Sequence, residues 1–316
     1  MTSEWRTIRA ADFIDFNPRL SLKKGDIATK VAMDKLKPFT KKIPETEKAE
    51  FNGGAKFCNG DTVMARITPC LENGKTAYVD MLDDGEIGFG STEFIVMRAK
   101  TGISDPQFVY YTAINPVFRN VAIKSMVGSS GRQRVQQSVL EELELSVPDL
   151  DEQRRIGDFL ARIDEKIALN DRINDNLELQ AQAFFQELFV DNADPEWAIG
   201  TISDLGAVVG GSTPSKAKPE YYTETGIAWI TPKDLSINKS KFISHGENDI
   251  TELGLKNSSA TIMPEGTVLF SSRAPIGYIA VAAGEVTTNQ GFKSIVPKPE
   301  IGTAFVYYFL KHNLPI

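Results

Sequence analysis

The sequence predicts an α+β protein: two mixed α/β domains related by an internal repeat and joined by one long coiled-coil-type α-helix. Three observations carry this. Short stretches of the first half return in the second, Glu4-Trp5 as Glu196-Trp197, Gly60-Asp61-Thr62-Val63-Met64 as Glu265-Gly266-Thr267-Val268-Leu269, and Phe108-Val109-Tyr110-Tyr111 as Phe305-Val306-Tyr307-Tyr308. Between the copies, apolar residues recur at three- and four-residue spacing over about 40 positions, the period of one long helix face. On either side the pattern changes to brief apolar runs punctuated by Gly, Asn and Pro, as in strands and turns. The expected boundaries are residues 1–148, 149–192 and 193–316.

In the first domain, residues 62–67, 76–79 and 94–98 have strand character, with Gly88-Phe89-Gly90 lying between strands. Asp105-Pro106 and Asn115-Pro116 each read as a helix start with proline in the first turn, and the aromatics of Phe108-Val109-Tyr110-Tyr111 are expected to face the core. The long helix opens at Pro148 or Asp149, where proline pre-sets the backbone and early acids meet the positive end of the dipole. Its stripe runs through Ile156, Leu160, Ile163, Ile167, Leu177, Ala181, Phe184 and Leu188, with Asn170 and Asn174 in the same seam. Only Gly157 interrupts it, Pro195 lies past its end, and its length is roughly 60 Å. Such a stripe, with acidic residues on the other faces, needs a partner helix, and asparagines in the seam set register. In the second domain, residues 268–271, 278–283 and 292–296 correspond to the three strands, and a helix follows Gly302-Thr303.

With 41% hydrophobic and 24% charged residues in 316, the chain has the composition of a folded protein of two ordinary domains. No apolar run approaches a membrane span, and Met1-Thr2-Ser3-Glu4 opens without a signal segment, so the expected location is cytoplasmic. Cys58 and Cys70 form no disulfide framework, and His245 and His312 are too isolated for a metal site. The net charge of −7 divides as +1 for residues 1–148, −7 for 149–194 and −1 for 195–316. The acidity therefore sits in the helix, and two near-neutral domains remain free to meet phosphates through local Lys and Arg clusters.

Catalytic motifs are sparse. Asp105-Pro106-Gln107-Phe108 and Asn115-Pro116-Val117-Phe118 lack the second proline of an adenine methyltransferase element, and Gly88-Phe89-Gly90 is not followed by a doubly wound pattern. No Gly-x-x-x-x-Gly-Lys-Ser/Thr loop is present. What remains are loops rich in donors. In the first domain, Gly128-Ser129-Ser130-Gly131-Arg132-Gln133-Arg134 combines hydroxyls, an amide and two guanidinium groups, and Arg66, Thr68 and Lys75 flank a turn at Pro69. Arg suits guanine O6 and N7, Gln suits adenine N6 and N7, and Ser suits phosphate. In the second domain, the loop Gly210-Gly211-Ser212-Thr213-Pro214-Ser215-Lys216 is joined by Lys233 beside Trp229, by Ser271-Ser272-Arg273, and by Asn289 and Gln290. Arg273 is the only arginine after position 172, which singles it out.

The order of these elements is similar to that of the DNA specificity subunit of type I restriction-modification enzymes. The likeness rests on residues 147–156 opening the long helix, on Gly210-Gly211-Ser212-Thr213-Pro214-Ser215 with Trp229 downstream, and on Gly266-Thr267-Val268-Leu269-Phe270-Ser271-Ser272-Arg273 leading to Asn289-Gln290-Gly291-Phe292. The resemblance implies two target-recognition domains, each reading half of a bipartite site in double-stranded DNA. It also implies a non-catalytic chain that positions modification (methyltransferase) subunits and a restriction (motor and nuclease) subunit, with S-adenosylmethionine, ATP and Mg on those partners. One departure matters: the family's second helical spacer, expected after the second domain, is not found before His312-Asn313-Leu314-Pro315-Ile316. The helix, through Ile156, Leu160, Ile163, Ile167, Asn170, Asn174, Leu177, Phe184 and Leu188, is then expected to pair with a second copy or a separately encoded fragment. The competing readings are an assembly scaffold that does not bind DNA and an inactive truncated fragment.

Overall fold

A computed structural model describes residues 4–314; residues 1–3 and 315–316, on which the readings of the opening and of the final positions fall, lie outside the described residues. The chain divides into two compact units, the first ending at Arg172 and the second beginning at Ile173, so the long helix contributes to both.

The first unit begins with β1 (Arg6–Arg9), α1 (Ala10–Phe13) and β2 (Ile14–Phe16), followed by β3 (Ile27–Val31), β4 (Glu47–Glu50), β5 (Ala55–Phe57), β6 (Thr62–Ala65), β7 (Thr76–Tyr78), β8 (Gly88–Gly90) and β9 (Phe94–Ala99). One sheet runs β2-β9-β6-β7 and is antiparallel throughout. Its central strand β6 is buried at every position, which suits the apolar and β-branched run Thr62-Val63-Met64-Ala65. A second sheet runs β4-β3-β8-β5, with β3 and β8 parallel. Gly88-Phe89-Gly90 is thus a strand rather than a connection between strands. Its glycines are needed for close packing, since a Cβ at Gly90 would sit 2.5 Å from the Val31 carbonyl oxygen and one at Gly88 2.5 Å from the Phe57 ring.

Two helices, α2 (Pro106–Ile114) and α3 (Pro116–Lys124), start where the Asx-Pro pairs place them: the Asp105 carboxylate accepts from Phe108 N–H at 3.0 Å and the Asn115 side chain from Val117 N–H at 2.8 Å. The unit closes with α4 (Gln137–Glu141) and β10 (Glu144–Val147), which returns to pair antiparallel with β1, Arg6 opposite Val147. Phe118, Ala122, Val135, Leu140 and Val147 from this closing stretch complete the core around Phe13 and Phe108.

The long helix α5 (Leu150–Gln186) has 37 residues and ends in a π-helical turn, Glu187–Asp191. At its start Gln153 is fully buried, accepting from Asp105 N–H at 3.1 Å and donating to the Pro148 and Ile103 carbonyls at 3.0 and 3.2 Å. Gly157 lets α5 approach α2, since a Cβ there would lie 2.9 Å from Asp105 Oδ1 and from Gln107 Cβ. Ile156, expected in the pairing seam, packs against the core of the first unit instead, because the helix meets its own domain on that side. Leu160 is half-buried, whereas Ile163, Ile167, Asn170, Asn174, Leu177, Phe184 and Leu188 are exposed.

The second unit contains α6 (Ile202–Leu205), β11 (Gly206–Gly210), β12 (Tyr222–Thr223), β13 (Ile227–Ile230), α7 (Pro232–Ile237), β14 (Phe242–Ile243), β15 (Asn248–Ile250), α8 (Glu252–Lys256), β16 (Val268–Phe270), β17 (Ile279–Ala282), β18 (Thr287–Thr288), β19 (Lys293–Pro297) and α9 (Thr303–Asn313). Its sheets run β11-β19-β16-β17-β14 and β12-β15-β13-β18, with β13 and β18 parallel as β3 and β8 are. The repeat therefore extends to this parallel pair and to the order β11-β19-β16-β17, which matches β2-β9-β6-β7, while β14 adds an edge strand to the second unit. From α5, Phe185 enters this core at 7% exposed with Ala181 of the predicted stripe packed against it, while Phe184 on that stripe is 60% exposed.

Each unit holds α5 through the same trio. In the first, Lys41 Nζ donates to Tyr111 Oη at 3.0 Å and the tyrosine hydroxyl donates to Asp164 at 2.5 Å. In the second, Lys241 Nζ donates to Tyr308 Oη at 2.8 Å and that hydroxyl to Glu178 at 2.7 Å. Both ammonium groups also lie over tyrosine rings, Lys41 4.7 Å from Tyr111 and Lys241 4.4 Å from Tyr308. Asp164 and Glu178 belong to faces that the sequence presents as an acidic solvated surface; in the fold they anchor the domains. Burial and then the bond to Asp164 push the Tyr111 hydroxyl upward. Burial would raise Glu178, but hydrogen bonds from Lys311, Tyr308 and Gln182 outweigh it and lower the carboxyl from 4.5 to about 2.

Two outcomes follow from this packing. Gly157→Ala, despite gaining about 1 kcal/mol of helix propensity, should lower stability by about 1–2 kcal/mol because α2 and its capping aspartate must move, read as a reduced urea midpoint. Because the folded carboxyl of Glu178 is depressed, its contribution is complete above its ordinary 4.5 and is lost as pH falls toward about 2. Glu178→Gln should therefore flatten the loss of stability between those pH values, measured as urea midpoints from pH 7 down to pH 3.

Candidate nucleic-acid interface

In the second unit, the loops singled out in the sequence converge. Gly211 follows β11 so close to β18 that a Cβ there would lie 2.0 Å from the Asn289 carbonyl oxygen. Ser212 N–H donates to Thr288 O at 2.8 Å, the Thr213 hydroxyl meets Gln290 Oε1, and the Trp229 indole N–H donates to Ser212 O at 3.0 Å. The backbone N–H groups of Ser272 and Arg273 both point to Gly291 O, at 2.8 and 3.3 Å. Asp234, buried, closes a capping box with Thr231 and also accepts from Glu247 N–H at 2.8 Å. Four segments separated in sequence thus form one polar surface carrying Ser212, Thr213, Lys216, Lys233, Arg273, Asn289 and Gln290.

Their availability differs. Arg273, Lys216 and Gln290 are exposed, and among the described residues the Arg273 and Lys216 side chains have no hydrogen bond or ion pair. Lys233 is tied to Glu247 at 2.6 Å, which neutralises the cation that the sequence offered for phosphate. Asn289 is half-committed, its Oδ1 accepting from Gly291 N–H at 2.8 Å.

The first unit assembles its loops similarly. Thr68 N–H donates to Gln133 O at 3.0 Å and Val135 N–H to Arg66 O at 2.8 Å, which draws residues 128–134 alongside residues 66–69. Gly128, at φ +137°, makes the turn, where a Cβ would lie 2.9 Å from the Arg132 carbonyl oxygen. Ser129, Ser130 and Arg132 are exposed and Gln133 half-buried. Arg134 is not a free reader: Nε and Nη2 grip both oxygens of Glu93 at 2.5–3.0 Å, and that bond holds the Glu93 carboxyl below its ordinary range. Lys75 donates to the Met33 carbonyl at 2.9 Å and Thr68 to Glu72 at 3.0 Å, both internal bonds.

Sequence reasoning missed a cleft of about 600 Å³ in this unit, lined by Asn17, Arg19, Lys56, Arg66 and Thr92 among apolar neighbours, with no carboxylate in the lining. Arg66 Nε is buried there without a hydrogen-bond partner among the described residues, and its Nη2 reaches Val135 O only at 3.4 Å. A buried Nε–H without a partner, on a half-buried arginine that lines the cleft, favours an acceptor or an anion. The cleft follows β2 as residues 211–213 follow β11, so the repeat was the signal that could have found it. Among the described residues no cluster of His, Cys, Asp and Glu could hold a metal ion, and no helix is long and apolar enough to cross a membrane.

A family model described as the type I restriction modification DNA specificity domain matches residues 3–179 and 195–316. The chain belongs to this family. It is 46% identical over 127 residues to the Type I restriction enzyme MjaIX specificity subunit of Methanocaldococcus jannaschii, covering 40% of this chain and 29% of that relative. It is 24% identical over 328 residues to the Type I restriction enzyme HindI specificity subunit of Haemophilus influenzae, covering 80% of this chain and 69% of the relative. A crystal structure of a type I restriction-modification system S subunit from M. genitalium shares the fold at a TM-score of 0.54 and 17% identity, over 98% of this chain and 77% of that one. The two α/β units of this chain and the long helix that contributes to both fit the fold shared with that S subunit.

Proposed function

We propose that this specificity-domain chain binds double-stranded DNA at a bipartite target, one half read by each unit, and positions methyltransferase and restriction subunits without itself catalysing a reaction. The observation that carries the reading is the convergence of four distant loops on one donor-rich surface around Arg273 and Gln290, with a counterpart around Arg66 and Arg132 in the first unit. Both units keep one scaffold and vary their loops, as expected of two readers of different sequences. S-adenosylmethionine, ATP and Mg would act on the partner subunits, and the complex would work in the cytoplasm. The exposed seam from Ile163 to Leu188 supports pairing with another helix, in a second copy or a separately encoded fragment. The scaffold reading, in which the domains bind only protein, leaves the free guanidinium groups of Arg132 and Arg273 unused.

Mapping methylated bases in cells with and without the gene should reveal a bipartite motif that depends on it. On a duplex carrying that motif, Arg273→Ala and Arg132→Ala should each weaken binding by about 1–3 kcal/mol if they read bases, whereas a scaffold would show no duplex affinity to lose. Light scattering at micromolar concentrations should report a mass above one chain; the mass of a single chain throughout would rule out self-pairing.

A further inference from the structure

The two units share one strand ladder around the cationic cleft of the first, yet only the first leaves that place open. Ala65 lies opposite Phe94 as Ser271 lies opposite Phe292, and Phe16 lies opposite Met97 as Val208 lies opposite Ile295. Counted along from these pairs, Arg66 corresponds to Ser272, Thr92 to Gln290 and Arg19 to Gly211. In the second unit these positions fill their own space: Ser272 Oγ donates to Gly291 O at 3.3 Å, the Thr213 hydroxyl meets Gln290, and Gly211 lies against the backbone of residues 288 and 289. In the first unit the cleft of about 600 Å³ stands there instead. Its walls are held by the scaffold. Asn17, at φ +49°, turns the chain out of β2 while its N–H donates to Val96 O at 2.7 Å and its Oδ1 accepts from Val96 N–H at 2.9 Å. Gly54 passes β8 so closely that a Cβ would lie 2.0 Å from Gly90 O.

Arg19, Lys56 and Arg66 line the cleft, and no carboxylate does. Arg19 is exposed, and the Lys56 ammonium has the Phe51 ring 5.5 Å away. Arg66 keeps its buried Nε–H without a partner, while the neighbouring Glu93 carboxylate is already gripped by Arg134. Charged donors left unsatisfied in a partly dehydrated place favour an oxyanion. One oxyanion is far smaller than this cleft, whose volume is that of a small-molecule site. The rest of the wall is apolar, with Pro18, Leu20 and Ala55 half-buried. We infer that the cleft holds a single nucleotide, its phosphoryl group on Arg66, Arg19 and Lys56 and its base against Pro18 and Leu20. A planar guanidinium meets two phosphoryl oxygens at once, and a flat base covers the apolar wall. The nucleotide has two sources: a DNA strand, turned out of its stack, which rests on the duplex reading of the first unit, or solution, which does not.

The test is calorimetric titration of the full chain, in phosphate-free buffer, with each of the four deoxynucleoside 5′-monophosphates. Saturable binding is expected, with inorganic phosphate about tenfold weaker or more because it leaves the apolar wall uncovered. Arg66→Gln should weaken the tightest monophosphate by about tenfold or more. Arg19→Ala, at an exposed residue without a side-chain bond among the described residues, should also weaken it while keeping the native circular dichroism, and Lys124→Ala, outside the cleft, should leave it unchanged. Displacement of the monophosphate by duplex DNA would assign the source to a DNA strand, and its retention beside bound duplex to solution. A chain without duplex affinity that still binds the monophosphate would remove the DNA reading and leave the cleft with a free nucleotide. Absence of saturable binding, inorganic phosphate bound as tightly as the monophosphates, or unchanged affinity in both Arg66→Gln and Arg19→Ala would overturn the proposal.

Discussion

The packing of both units depends on a tyrosine hydroxyl that donates to a carboxylate of the long helix while accepting from a lysine. The trio occurs twice, as Lys41–Tyr111–Asp164 and as Lys241–Tyr308–Glu178. A helix that is exposed through its middle has little apolar area with which to hold a domain, so within each unit a polar contact fixes the helix segment against the sheet and helix it packs on. A carboxylate fixed by a tyrosine at hydrogen-bond distance defines one helical register, because a shift by one residue turns that carboxylate about 100° away. Hydrophobic contact alone, through Ile156 or Phe185, would define it less sharply.

The same economy governs the loops. The first unit spends Arg134 on Glu93, and the second spends Lys233 on Glu247. These pairs hold loops in place around the residues left free, Arg132 and Arg273. The loops thus carry both kinds of cation, donors with open valences and closed pairs that tie the loop to the scaffold. Counting Arg and Lys in a loop cannot separate them, since the deciding carboxylates lie 14 to 41 residues away.

Much of the architecture was legible in the residues. The Asx-Pro pairs announced α2 and α3 through local side-chain capping, and three strands of one sheet in each unit, β6, β7 and β9 and β16, β17 and β19, were visible as short apolar runs, with ends displaced by one or two residues. The loops that meet on the second-unit surface were also singled out in the residues, by their glycines, hydroxyls and cations, though not that they meet. Less visible were the second sheet of each unit, including β8, whose glycines answer to neighbouring strands, and the cationic cleft around Arg66, whose residues come from four separate segments, two of them strands.

The sequence by itself determined the repeat, the strand and helix types, the long helix and the donor-rich loops, since each follows from local pattern and capping chemistry. Only the tertiary structure decided which acids are anchors and which are solvated, why Phe185 rather than Phe184 enters a core, and which cations remain free. Those outcomes depend on side chains meeting across tens of residues, where a single hydrogen bond or a missing Cβ selects among faces that look alike along the chain.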